Sequence, residues 1–144
     1  MHGPEPEFSS AGWSAELTDI SQATGIRRAF RDYLLRYATP GSDVPAAELI
    51  LGELLGNVVR HASGRASMRL VWHGPRATLV VCDCGPGFQK RAPPAAHADP
   101  SAERGRGLKL VRAFAVKLNV RNNRDGGGAS VSAVLPVLRL QPEP

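Results

Sequence analysis

The chain has 144 residues, 42% of them hydrophobic and 22% charged, with a formal net charge of +5 and a pI near 9.9. That length suits one domain with its own core, and the balance excludes an intrinsically disordered chain. Aromatics make up only 6%, so the core must rest on Leu, Val, Ile and Ala, and no basic run is interleaved with aromatics as single-strand nucleic-acid binding requires.

In chain order, residues 1–12 contain Pro and Glu and predict a flexible N-terminus before a domain spanning 13–140. They show no basic segment followed by an apolar one, so no signal peptide is expected. No apolar run approaches the ~18 residues of a membrane span. Trp13 to Leu17 reads as a short strand. Ile26, Ala29, Phe30, Tyr33, Leu34 and Tyr37 recur at helical spacing, with Ser21 or Thr24 as cap, and Arg27, Arg28, Arg31, Asp32 and Arg36 fall on solvated faces. Thr39-Pro40-Gly41-Ser42 is a turn.

The stretch Ala46 to Ala62 reads as the central helix, with Pro45 before it and Asp43 as N-cap. Leu49, Ile50, Leu51, Leu54, Leu55, Val58 and Val59 make most of its circumference apolar. Glu53, Asn57 and His61 recur every fourth residue and form one polar stripe. By periodicity alone this is a solvent-facing stripe on a core helix. Gly52 and Gly56 lie inside the helix, each costing about 1 kcal/mol against Ala, for close packing or for ligand approach.

Ala66–Trp72 and Ala77–Cys82 predict a hairpin across His73-Gly74-Pro75-Arg76. The two cysteines, Cys82 and Cys84, share a strand face. With no further Cys and no His at ligand spacing, they are reduced thiols of a cytoplasmic protein rather than a zinc site. Asp83 continues the apolar row of Leu79 and Val81, where a buried carboxylate needs a hydrogen-bond partner; alternatively it opens the turn at Gly85-Pro86-Gly87. Residues 89–104, with three prolines and five alanines within KRAPPAAHADPSAE, lack periodicity and predict an active-site lid, with His97 a solvated loop residue. Gly107 to Lys117 reads as a third helix with Leu108, Leu110, Val111, Phe114 and Ala115 as its apolar face. Leu118–Asn122 and Ala129–Pro136 predict a last hairpin, and the tail beyond Pro136 is a strand extension or a frayed end. The order helix, helix, hairpin, lid, helix, hairpin predicts a mainly antiparallel sheet with helices on one face.

Three segments stand in a specific order: Glu53-x-x-x-Asn57 on a helix, Asp83-x-Gly85-x-Gly87, and Gly105-x-Gly107-Leu108. In this order and spacing they resemble the GHKL ATPase family, which includes gyrase, histidine kinases and MutL. The run ELLGNVVRHA and the short chain look most like the anti-sigma factor serine/threonine kinases. The resemblance covers roughly Ile20 to Pro136. It implies an α+β two-layer sandwich, the Bergerat ATP-binding fold. It also implies Mg²⁺ held by the Asn57 amide oxygen, since Mg²⁺ keeps several waters and needs few protein ligands. No Walker-type phosphate loop is present. By the same resemblance Asp83 accepts from the adenine amine, Gly85 and Gly87 let the backbone approach the base, and Gly105, Gly107 and Leu108 open a helix toward the phosphates. Arg104, or else Arg106, neutralises terminal phosphate charge. Glu53 matches the glutamate that takes a proton from an attacking hydroxyl; histidine kinases carry a different residue there. One departure is Gly128-Ala129-Ser130 where the family usually has Gly-Thr, so a hydroxyl beside the adenine is missing or shifted onto Ser130.

The resemblance implies a cytoplasmic homodimer that binds ATP, holds a sigma factor and phosphorylates a serine or threonine on a small antagonist protein, with neither nucleic acid nor membrane as direct partner. The rival reading is a non-catalytic module that uses ATP to shape its lid and sequester a transcription regulator. A third, an ATPase domain of the histidine-kinase kind, is disfavoured by Glu53 and by the lack of a helical hairpin carrying a phosphoacceptor His.

Overall fold

The computed structural model describes residues 6–61, 65–83, 109–122 and 129–141. Glu7–Ser9 (β1), Gly12–Leu17 (β2), Ala66–His73 (β3), Arg76–Asp83 (β4), Lys117–Asn122 (β5) and Ala129–Leu138 (β6) form one six-stranded sheet in the order β1-β2-β3-β4-β6-β5. Every neighbouring pair is antiparallel. Period-two alternation sets the two faces. In β4, Ala77, Leu79, Val81 and Asp83 are buried while Thr78, Val80 and Cys82 are half-buried on the other side.

Two helices, Ala23–Tyr37 (α1) and Val44–His61 (α2), cover the buried face, α1 against β2 and α2 against β4 and β6. Between the layers, Phe30, Leu34, Ile50, Leu51 and Leu54 meet Leu70, Leu79 and Leu135, all at 0–1% exposure. The Trp13 ring meets Phe30 edge-on, with centroids 5.2 Å apart. This is the α+β two-layer arrangement expected from the motif order.

Asp43 caps α2 as its position predicts, its Oδ1 accepting from the Ala46 N–H at 3.1 Å. Pro45 falls within the first turn, where its missing N–H costs nothing. The β3–β4 turn places Gly74 at φ +60°, the conformation that a two-residue type II′ hairpin demands at its first central position. The tail beyond Pro136 is strand: Asp43 N–H donates to Pro136 O at 3.0 Å, Thr39 N–H to Leu138 O at 2.8 Å, and Leu140 N–H to Tyr37 O at 2.8 Å. The β4–β6 register slips between Arg76 and Thr78, opposite Pro136, because proline cannot donate to the ladder.

Three expectations are corrected. Within the segment read as a flexible end, Glu7–Ser9 pair with β2, and the turn after them is tied down by Tyr33 Oη donating to Ser9 O at 2.9 Å and Arg139 Nη2 to Ser10 O at 2.7 Å. The first helix is entered through a 3-10 turn, Ile20–Gln22, capped by Asp19, whose side chain accepts from Ser21 N–H while Gln22 reaches back. Neither Ser21 nor Thr24 is that cap: the reciprocal Asp19–Gln22 box satisfies the free N–H groups one turn earlier. The third helix ends sooner than its apolar pattern suggests. Residues 109–114 are helical and Lys117 already begins β5, because Val116 N–H donates to Val134 O at 2.8 Å and draws the chain into the sheet. Within that helix Val111 is buried, but Leu110 and Phe114 stay 42% and 41% exposed.

Candidate functional site

Among the described residues, two polar side chains are buried: Asn57 at 5% exposure and Asp83 at 4%. Burying an amide or a carboxylate costs several kcal/mol unless its hydrogen bonds are met.

Two backbone anchors bring them to one end of the molecule. The start of α2 is tied to Pro136, near the end of β6 that lies opposite the start of β4. From there α2 packs on β4 and β6. Val44 to Asn57 advances about 20 Å at 1.5 Å per residue; Arg76 to Asp83 advances about 23 Å at 3.3 Å per residue. At the far end, the chain leaves α2 at His61 and has re-entered the sheet by Ala66, the Cα partner of Asp83. The ends of α2 and β4 therefore share one edge of the sandwich, and each carries its polar residue there. Glu53, half-buried, lies one turn before Asn57 on the same stripe; the side chain of His61 is outside the described residues.

Chain continuity adds the motif segments. Asp83 is the last residue of β4, and the segment bearing Gly85 and Gly87 departs from it directly. Gly85, Gly87, Arg104, Gly105, Arg106, Gly107 and Leu108 lie outside the described residues, as does the lid expected at 89–104.

The register resolves the question about the hydroxyl. Cys82 pairs with Ser130 and Val81 with Val131. Ser130 is thus on the face of Cys82, opposite to that of Asp83, while position 129 continues the row of Val131 and Ala133. The Ser130 hydroxyl is therefore not on the face of Asp83. Period-two alternation in the sequence already carried that signal.

A Cβ built at Gly52 comes within 3.4 Å of the Arg27 guanidinium, the flexible far end of a side chain on α1. It faces the neighbouring helix, about 140° around α2 from Asn57. A cavity of about 330 Å³ between β1 and α1, lined by Phe8, Trp13, Tyr33 and Tyr37 among others, contains none of the expected site residues. No cluster of three or more His, Cys, Asp or Glu side chains occurs among the described residues. The Asn57 amide oxygen is the kind of single protein ligand that a hydrated Mg²⁺ carried in with phosphates would take.

The described fold is a two-layer α+β arrangement, an antiparallel sheet with helices on one face. Residues 15–135 match the family described as histidine kinase-like ATPase domain. The chain belongs to that family, and binding ATP is the property expected of it. It is also similar to Sensor protein RstB of Escherichia coli (strain K12), 29% identical over 157 residues that take in 99% of this chain and 36% of that protein. The chain thus spans about a third of the length of that curated relative. Among the described residues no helix is long and apolar enough to cross a membrane.

Proposed function

We propose that the chain is a cytoplasmic Mg·ATP-dependent regulator of the anti-sigma factor type, a homodimer that transfers the γ-phosphate to a serine or threonine of a small antagonist protein and holds a sigma factor. The observation that carries the reading is the half-buried Glu53 one helical turn before the buried Asn57, at the edge where β4 delivers Asp83. Mg²⁺ held at Asn57 supplies neutralisation of phosphate charge. Asp83 selects adenine by accepting from its exocyclic amine, with no help from a hydroxyl at position 129. Glu53 takes the proton of the acceptor hydroxyl as that oxygen attacks the γ-phosphorus and ADP departs. The charge of about −1.5 to −2 placed on the antagonist breaks its interface with the regulator.

The likeness to a sensor protein over 99% of the chain supports a second reading, an ATPase domain that phosphorylates a histidine. The acceptor separates the two, because phosphoserine and phosphothreonine survive acid and phosphohistidine does not. The chain is incubated with γ-labelled Mg·ATP and, separately, with an antagonist-type domain and with a phosphoacceptor helical hairpin. Acid-stable label on the antagonist domain is expected, with transfer reduced roughly 10²–10⁴-fold in Glu53→Ala and ATP binding unchanged. Acid-labile label on the hairpin overturns the serine/threonine reading. No transfer to either, with ATP still bound, leaves the module that uses ATP only to shape a sequestering surface.

A further inference from the structure

The cavity between β1 and α1 contains none of the expected nucleotide residues and has a chemistry of its own. Its volume of about 330 Å³ falls at the lower end of small-molecule pockets, which are mostly apolar or aromatic with a few polar groups that fix orientation. The spacing of residues on α1 builds one wall. Tyr33 and Tyr37, one turn apart, bring two rings to it with centroids 4.6 Å apart. Asp32 and Arg36, also one turn apart, bring one charge of each sign. The strands supply Trp13 and Phe8, which is 59% exposed and meets Tyr33 edge-on at 6.5 Å. An Asp and an Arg four residues apart on a helix commonly pair. These two do not. Among the described residues Asp32 has no hydrogen bond or ion pair, and Arg36 has only its cation–π contact with the Tyr37 ring, 5.4 Å from the centroid.

We infer that this cavity binds a free aromatic α-amino acid, with its ring among Phe8, Tyr33 and Tyr37, its ammonium on Asp32 and its carboxylate on Arg36. The charges select the ligand. An anion alone would meet Asp32, a cation alone would meet Arg36, and an uncharged ring would take water from both groups and return no partner. A zwitterion answers both signs at once, one helical turn apart. The three rings favour an aromatic side chain over an aliphatic one, because rings add edge-on or offset contacts to the burial of area. A residue inside a peptide carries neither terminal charge. Asp32 and Arg36 are both exposed, so each ionic contact is modest, and the Kd is on the order of 1 mM.

The test uses the full chain without nucleotide, so its outcome is independent of the kinase reading. L-phenylalanine is titrated, and amide and indole signals are followed by NMR. Trp13 is the reporter at the site: its indole N–H is buried without an acceptor, whereas that of Trp72, the other tryptophan, donates to Tyr33 Oη. The expected result is saturable shifts at Phe8, Trp13, Tyr33 and Tyr37. N-acetyl-L-phenylalanine, which lacks the ammonium, and L-phenylalaninamide, which lacks the carboxylate, each bind about threefold or more weakly than L-phenylalanine. Asp32→Asn weakens L-phenylalanine by a similar factor and does not weaken the N-acetyl compound. Arg36→Gln weakens L-phenylalanine likewise and spares the amide. Glu16→Gln, which removes an exposed carboxylate on β2, leaves all three affinities unchanged. No saturation by about 10 mM, shifts confined to other parts of the chain, or equal affinity for the three compounds would each overturn the inference.

Discussion

Gly52 shows how a single residue separates packing from function. Its missing Cβ lies in ordinary contact distance of the far end of a flexible Arg27 side chain, with no backbone in the way. An alanine there fits after a small guanidinium shift and removes the helix-interior cost of glycine. Gly52→Ala is therefore expected to stabilise the fold by about 0.5–1 kcal/mol, read as a higher midpoint in urea with unchanged ATP affinity. Tyr33 makes a second residue-scale case. Its hydroxyl donates to Ser9 O and accepts from Trp72 Nε1, both at 2.9 Å, and burial pushes its pKa above the ordinary 10.0, an effect that the Trp72 bond partly opposes. A raised folded-state value means that the neutral hydroxyl is favoured in the fold. That stability is fully present below pH 10.0 and is lost as pH climbs through the higher folded value. Tyr33→Phe strands the buried Trp72 N–H and costs about 1–3 kcal/mol at neutral pH. It also flattens the alkaline decline, so unfolding midpoints at pH 9 and pH 11 converge relative to the wild type.

At the scale of elements, Gly12 holds the N-terminal hairpin to the sheet. A Cβ there meets Leu70 O at 2.6 Å, a backbone atom that cannot yield without parting β2 from β3. Gly12→Ala is expected to cost more than the ~1 kcal/mol of an average substitution, with hydrogen exchange rising first in β1 and β2. Most elements were legible because their periods were clean. The buried stripe of α1, the cap of α2 and the alternation of β3 and β4 all follow from spacing. What escaped was set by tertiary pairing. Glu7–Ser9 is too short to show a period, and it is strand because Tyr33 and Arg139 hold the turn after it. The helical pattern runs on through residue 117, yet Val116 N–H bonds to Val134 O and Lys117 already begins β5.

For the whole molecule, the proposed site is the meeting of two elements that the chain visits separately. Asn57 and Asp83 could be picked out by motif, but their burial at one edge depends on the Pro136 anchor and on the short return to Ala66. No local pattern encodes those two anchors. Thermal unfolding with and without Mg·ATP, for wild type and Asn57→Ala, tests the central claim most directly. With ligand at about 100 times its Kd, binding adds ~2.7 kcal/mol, a rise of roughly 9 °C for a chain of this length. The account predicts that rise in the wild type, its dependence on Mg²⁺, and its loss in Asn57→Ala. No rise at millimolar ATP, or a rise that survives both the substitution and removal of Mg²⁺, would contradict it.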